Sequence, residues 1–309
     1  MSIDVLRTDG RWWVERDGLA HPVDTAARTT AELLADRKAL TDAASDGVPV
    51  GELKLLSPVT TPCRVVCQMV NYRSHARDSG FDPDDVPITF FRKASGSVCG
   101  PYDRIVKPPH VRLLDYEIEL GLVMGAPLPI GATVTEADLP AYVAGLVMAD
   151  DVSARDVQLS KSQFYESKSY PTFTPLGPRL VLLAAEEFAR LVDLRLRLSV
   201  NQVLRQDRTV TDMIAGPAAA LTALARFQEL APGDVVLTGT PGGTALKAPP
   251  KPVELLGSLL PPSLKWKIFF GRQARVPAYL RHGDVVTARI ATGDRSIDLG
   301  CQRTPVEYA

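Results

Sequence analysis

The stretch Asp115-Tyr116-Glu117-Ile118-Glu119-Leu120 alternates acidic with apolar side chains, and Leu122 extends the apolar set. A period of two is that of a β-strand, whose successive side chains point to opposite faces. Asp115, Glu117 and Glu119 are therefore expected on one face, with Tyr116, Ile118, Leu120 and Leu122 on the other. On its own the pattern fits a half-buried antiparallel strand with a wet acidic face. Lined-up carboxylates repel, however, and burying them is costly unless a positive charge sits among them. A second acidic group, Asp150-Asp151 with Asp156, follows an apolar run from Ala144 to Ala149 and shifts the reading toward a cation site.

The remaining composition excludes several classes. A chain of 309 residues can bury a large core in one or two domains. It is 45% hydrophobic and 23% charged, with a net charge of −1, so nothing in its charge calls for nucleic acid. Met1 to Arg7 lacks the apolar core of a signal peptide, and no apolar run approaches the ~18 to 20 residues of a bilayer span. A cytoplasmic protein acting on a small molecule, away from membranes, is the expectation. Cys63, Cys67, Cys99 and Cys301 match no zinc or redox spacing and are expected reduced, with Cys63 and Cys67 buried as small hydrophobes.

Residues 1–60 read as a small N-terminal α/β domain. Arg11 to Gly18 is a strand entering an Asp-Gly hairpin turn, and an alanine-rich helix is expected over about 30–44. Ser57-Pro58-Val59-Thr60-Thr61-Pro62 is read as a linker. The larger domain, 61–309, is rich in strands: 64–67, 87–91, 144–149, 234–238, 285–290 and 296–299. Short helices are expected over 71–80, from Thr135 to about Val143, and from Pro217 with Leu221, Leu224 and Phe227 on one side. Residues 247–281 form an extended insertion whose six prolines and apolar pairs suggest broken helical pieces, serving a dimer interface or covering the site.

Four motifs fall in one order: Asn71-Tyr72 with His75; Asp115 to Leu120; Asp151-Val152-Ser153-Ala154-Arg155-Asp156-Val157-Gln158; and Thr238-Gly239-Thr240-Pro241-Gly242. Over about residues 57–309 the chain resembles the fumarylacetoacetate hydrolase family. The resemblance implies an α+β, mainly β fold, a mixed β-sandwich roll, with a divalent cation and a homodimer. Three oxygen donors, Glu117, Glu119 and Asp151, suit Mg²⁺ or Mn²⁺, with Ca²⁺ a third candidate, and are metal ligands in the family. Asp115 is placed in a supporting role. Asp150, where the family has asparagine, should point away from Asp151.

Arg155 can grip a carboxylate with two parallel bonds, and Gln158 can donate to a carbonyl oxygen. Lys168 corresponds to a family lysine that stabilises an enolate, and Thr240 would offer a hydroxyl at the edge of the site. His75 and Asp78, three apart in a helix, share a face, so the aspartate can orient the imidazole as a base. Cleaving members of the family carry Glu at the Asp78 position, and Met69 stands where glycine is usual. The expected reaction is metal-dependent hydrolysis of a carbon–carbon bond in a β-dicarbonyl or 2-oxo acid such as an acylpyruvate or fumarylpyruvate. Decarboxylation or isomerisation of an oxaloacetate-like or unsaturated 2-oxo dioic acid, as in aromatic catabolism, is the alternative. A metal-binding module without catalysis is a third reading.

Overall fold

The computed structural model of the chain describes residues 2–161, 164–249 and 261–309. The fold is α+β and mainly β. An eleven-stranded mixed sheet packs against a five-stranded one, and a two-stranded ribbon joins Leu114–Asp115 to Ser153–Ala154. The strand Ile118–Met124 lies in the middle of the large sheet, antiparallel to Val143–Asp150 on one side and to Val235–Leu237 on the other. Ile118, Leu120, Leu122 and Met124 join Leu196, Leu198, Ile290 and Leu299 of the smaller sheet in the central core. Val123 faces a second core beneath the N-terminal helices. Both faces are thus dry, which rules out a wet acidic face and leaves the cation-site reading.

The acidic stretch is also not one strand. Leu114–Asp115 pairs with Ser153–Ala154, and the long strand starts only at Ile118. Side chains accept the backbone donors in between: Asp115 takes the Tyr116 N–H, Asp150 the Glu117 N–H, and Gln206 the Ile118 N–H, at 2.8–3.0 Å. Polar side chains have replaced the ladder where it breaks. The kink sits where Val143–Asp150 and Val235–Leu237 end, so the chain segments that follow them meet Glu117 and Glu119.

Residues 1–60 extend the same sheet. The strand Ile3–Thr8 pairs antiparallel with Thr174–Leu182, and Arg11–Arg16 with Leu19–Pro22 completes the expected hairpin. Its turn residues Asp17 and Gly18 both have positive φ, 52° and 80°. The helix expected over 30–44 is two, Thr30–Ala35 and Arg37–Thr41, interrupted at Asp36; Thr29 and Glu32 cap the first reciprocally. Ser57, Pro58 and Val59 are buried, so the proline-spaced stretch is packed structure and not a free linker.

The helix Arg73–Asp78 forms within the predicted range, as do the capped turn at Thr135 and the helix Pro217–Ala225. Phe227 departs from expectation: it lies beyond the end of Pro217–Ala225 and is 61% exposed, whereas Leu221 and Leu224 are buried. The final strand, Asp298–Tyr308, is longer than predicted because it pairs on both sides, with Val285–Ala291 and Ile105–Lys107. Of the 247–281 insertion, residues 250–260 lie outside those described. The helix Pro262–Gln273 is present, and Phe270, Val276 and Ala278 pack on Leu113, Ala245 and Tyr279. All four cysteines are free; Cys67 is buried and Cys63 half-buried.

Candidate active site

Glu117, Glu119 and Asp151 place one oxygen each within 4.8 Å of one another, all in the interior. Glu119 is on the central strand, Glu117 at the kink before it, and Asp151 just after Val143–Asp150. Three cations enter this cluster. Lys168 donates to Asp151 Oδ2 at 2.6 Å and to Glu117; Lys93 donates to the other Asp151 oxygen and to the Phe173 carbonyl at 2.8 Å. Arg155 donates to Glu117 through Nη2, to Asp115 through Nε at 2.8 Å, and to Gln158 Oε1 at 3.0 Å.

The three acids differ in how this surrounding treats them. Burial works against ionisation of Glu117, but Arg155 and Lys168 outweigh it and hold its carboxyl below the usual range. Among the described residues Glu119 receives no hydrogen bond from a side-chain cation; its hydrogen bond comes from the Gly239 N–H at 2.9 Å. Burial, then the neighbouring Asp151 and Glu117, push its carboxyl well above the usual range. Burial likewise opposes the charge on Lys168, but Asp151 and Glu117 reverse that and raise its pKa. An all-oxygen donor set whose third carboxylate lacks a cationic partner fits a hard divalent cation.

The predicted supporting roles separate into those the fold assembles and those it does not. Asp115 pins the site: beyond Arg155, it accepts the Ala245 N–H at 2.8 Å and the Leu246 N–H at 3.2 Å. Asp150 turns to the Glu117 N–H, away from the three-carboxylate cluster, and burial raises its pKa to about 7. Gln158 is buried, with its amide oxygen taken by Arg155. The hydroxyl of Thr240 is committed to the fold, donating to the Ile118 carbonyl and accepting from Gln206, both at 2.9 Å. It is therefore not a free group at the rim.

The His75–Asp78 hydrogen bond anticipated from their spacing is not made. Asp78 accepts the Gly243 N–H at 3.0 Å and lies 3.5 Å from Lys247. His75 Nδ1 is shielded from solvent and has no hydrogen-bond partner among the described residues. Burial lowers the pKa of His75, while Glu117 raises it and Arg155 and Lys168 lower it, so the ring lies within electrostatic reach of the cluster.

Sequence reasoning missed Lys93 and Gln206. Lys93 ends the strand Thr89–Lys93, on the same face as Phe91, and is only 2% exposed. A lysine two residues from a core phenylalanine is the signal that was there to find. Gln206, the buried residue of an otherwise exposed strand, carries no such mark.

Comparison with known proteins places this geometry. Residues 64–307 match the fumarylacetoacetate (FAA) hydrolase C-terminal family model. A mitochondrial oxaloacetate tautomerase of Bos taurus is 37% identical over 206 residues, which cover 66% of this chain and 64% of that protein. A human mitochondrial oxaloacetate tautomerase is 36% identical over 206 residues, with the same coverage. The chain thus spans less than two thirds of the length of these relatives. Among solved structures, a probable 2-hydroxyhepta-2,4-diene-1,7-dioate isomerase from Mycobacterium abscessus superposes with a TM-score of 0.75 at 28% identity, over 100% of this chain and 99% of that one. A fumarylacetoacetate hydrolase from Exiguobacterium antarcticum gives 0.74 at 27% identity over 100% of both chains. Among the described residues no helix is long and apolar enough to cross a membrane. With its four motifs converging on one acidic cluster at the kink of the central strand, the chain belongs to the fumarylacetoacetate hydrolase family.

Proposed function

We propose that this enzyme moves a proton next to a carbonyl group, interconverting keto and enol or double-bond isomers of an oxaloacetate-like 2-oxo dioic acid, rather than cleaving a carbon–carbon bond with water. The observation that carries this reading is the separation of His75 from Asp78. A histidine that activates water needs its second nitrogen held by an acceptor, and His75 Nδ1 has none among the described residues. Hydrolysis, the first expectation from sequence, relies on that dyad. Support for an enolate comes instead from Lys168, Arg155 and Gln158, which are buried at the acidic cluster. The relatives named as tautomerases and isomerases support the same choice.

A divalent cation held by Glu117, Glu119 and Asp151 would supply Lewis acidity toward the substrate's oxygens. Lys168 and Arg155 keep positive charge beside those carboxylates in a dry setting, where it favours negative charge developing on a substrate oxygen. Gln158 keeps its NH₂ group to donate to a carboxylate of the substrate. Burial lowers the pKa of His75 and so favours the neutral ring, whose other nitrogen, Nε2, can take a proton from the carbon and return it to the oxygen or to the far carbon. A homodimer is part of this proposal and is checked by sedimentation.

The test is deuterium exchange into oxaloacetate, followed by NMR with Mg²⁺ or Mn²⁺, alongside cleavage assays on acylpyruvates. Exchange should be enzyme- and metal-dependent and fall about 10²- to 10⁴-fold in His75→Ala. Glu119→Gln should abolish it together with Mg²⁺ binding. Acylpyruvate cleavage with no enzymatic exchange would overturn the proposal in favour of hydrolysis.

A further inference from the structure

A surface pocket of about 440 Å³ lies between the helix Arg73–Asp78, the edge strand Val203–Thr209 and the turn at Gly242-Gly243. No residue of the acidic cluster lines it, nor do Arg155, Gln158 or Lys168. Its walls carry Arg77, Arg205, Arg208 and Lys247 against Asp78 and Asp207.

Both acids are already engaged. Asp207 is held by Arg195 at 2.5 Å and Arg197 at 3.4 Å, neither of which lines the pocket, and Asp78 is shared by Gly243 and Lys247. Among the described residues, Arg77, Arg205 and Arg208 have no carboxylate within ion-pair distance. Arg208 gives one bond to the Asp207 carbonyl, at 2.7 Å. Arg205 Nε is cut off from solvent and donates to none of the described residues.

An unsatisfied buried donor carries a desolvation penalty, and guanidinium groups gathered at one place repel unless an anion sits among them. The guanidinium fork matches the paired oxygens of a carboxylate or phosphate. The walls are also fixed in relation to one another. Gly243 has φ +108°, and a Cβ there would lie 2.1 Å from the Arg205 carbonyl oxygen; one on Gly242 would lie 3.0 Å from the Ser74 backbone. The turn also donates from Gly242 to Ser74 Oγ at 2.9 Å and from Gly243 to Asp78. The arginines therefore surround a preformed space, which lowers the cost of ordering a ligand.

We propose that this pocket binds a small multivalent oxyanion, a dicarboxylate or a phosphate, at a site separate from the acidic cluster. Ser74 and Asp78, which line it, stand on the same short helix as His75.

The test is isothermal titration of the full chain in metal-free buffer with inorganic phosphate and, separately, with succinate, at low and high salt. Saturable one-to-one binding of at least one anion, weakened by salt, is expected; which anion binds identifies the source. The doubly substituted Arg205→Gln, Arg208→Gln chain should lose about tenfold or more in affinity, and so should the single Arg77→Gln chain, whose exposed side chain puts folding at no risk. Glu119→Gln should bind as the wild type does. No saturable binding, binding that survives the arginine substitutions, or binding lost in Glu119→Gln would each overturn the proposal. None of these outcomes depends on whether oxaloacetate exchange is observed.

Discussion

At the level of single residues, the site is a problem of charge. Asp115, Glu117, Glu119 and Asp151 are buried together with Arg155, Lys168 and Lys93, leaving the acids in excess by one. Among the described residues Glu117 and Asp151 each have two cationic partners and Glu119 has none, which is why Glu119 gains most from a divalent ion. Lys93 is essential to this balance. Replacing it by methionine keeps much of the volume but strips Asp151 of one partner, and opening a buried pair from one side costs about 3–5 kcal/mol. Lys93→Met should lower unfolding stability by that order in urea titrations; an unchanged midpoint would show that the lysine contributes nothing there. Glu117, Glu119 and Asp151 were legible in sequence because a period of two and a motif mark them. Lys93 was not, because it meets Asp151 only where the sheet brings residues 58 apart together. The His75–Asp78 spacing misled for a related reason. Sharing a helical face permits a contact, but the Gly243 N–H and Lys247 compete for the same carboxylate and win.

Secondary-structure elements were legible where local chemistry decides them: the Asp17-Gly18 hairpin, the Thr29 and Thr135 caps, and proline at the start of Pro217–Ala225. The kink at Tyr116-Glu117 was not, because its acceptors, Asp150 and Gln206, are 33 and 88 residues away from the donors they serve. Strand spacing is equally non-local. A Cβ on Gly145, in Val143–Asp150, would lie 2.2 Å from the Val181 carbonyl oxygen on the neighbouring strand, a backbone contact that a side chain cannot move aside. Gly145→Ala should therefore push Val143–Asp150 off Thr174–Leu182 and displace Asp151 from Glu119. The expected result is a loss of about 2 kcal/mol or more in stability together with weaker Mg²⁺ binding, read by thermal unfolding and calorimetry. Weaker stability with unaltered metal affinity would show that the end of the strand is positioned by something other than its pairing.

For the molecule as a whole, composition suggested a break near residue 60, yet sheet and core run across it. Val5, Trp12 and Leu33 share a core with Val123, Val147 and Leu237. Turn residues and prolines mark where the chain changes direction, but not which strand the next one joins, and Ile3–Thr8 joins Thr174–Leu182. Arg179 fastens this seam, bonding Glu15 at 2.7 Å and lying 3.7 Å from Asp4 and 4.0 Å from Asp298. Asp4 stands opposite Glu15 in the strand register, and burial raises its pKa to about 6, with Arg179 opposing and Glu15 and Asp298 adding to the rise. Unfolded, the same group titrates near about 4. Between those two values the folded chain holds a proton that the unfolded chain has released, so stability must fall as pH rises through the window and level off above it. Mutation to Asp4→Asn removes that proton exchange without removing the side chain's volume. Denaturant midpoints measured from pH 4 to 7.5 should decline more steeply for the wild type than for the variant, in which Asp150 and Glu119 still hold protons, and the variant should be the more stable by about 1–2 kcal/mol at pH 7.5, after allowing for partial solvent screening. Parallel curves for the two proteins would mean that Asp4 ionises normally and that the seam tolerates its charge.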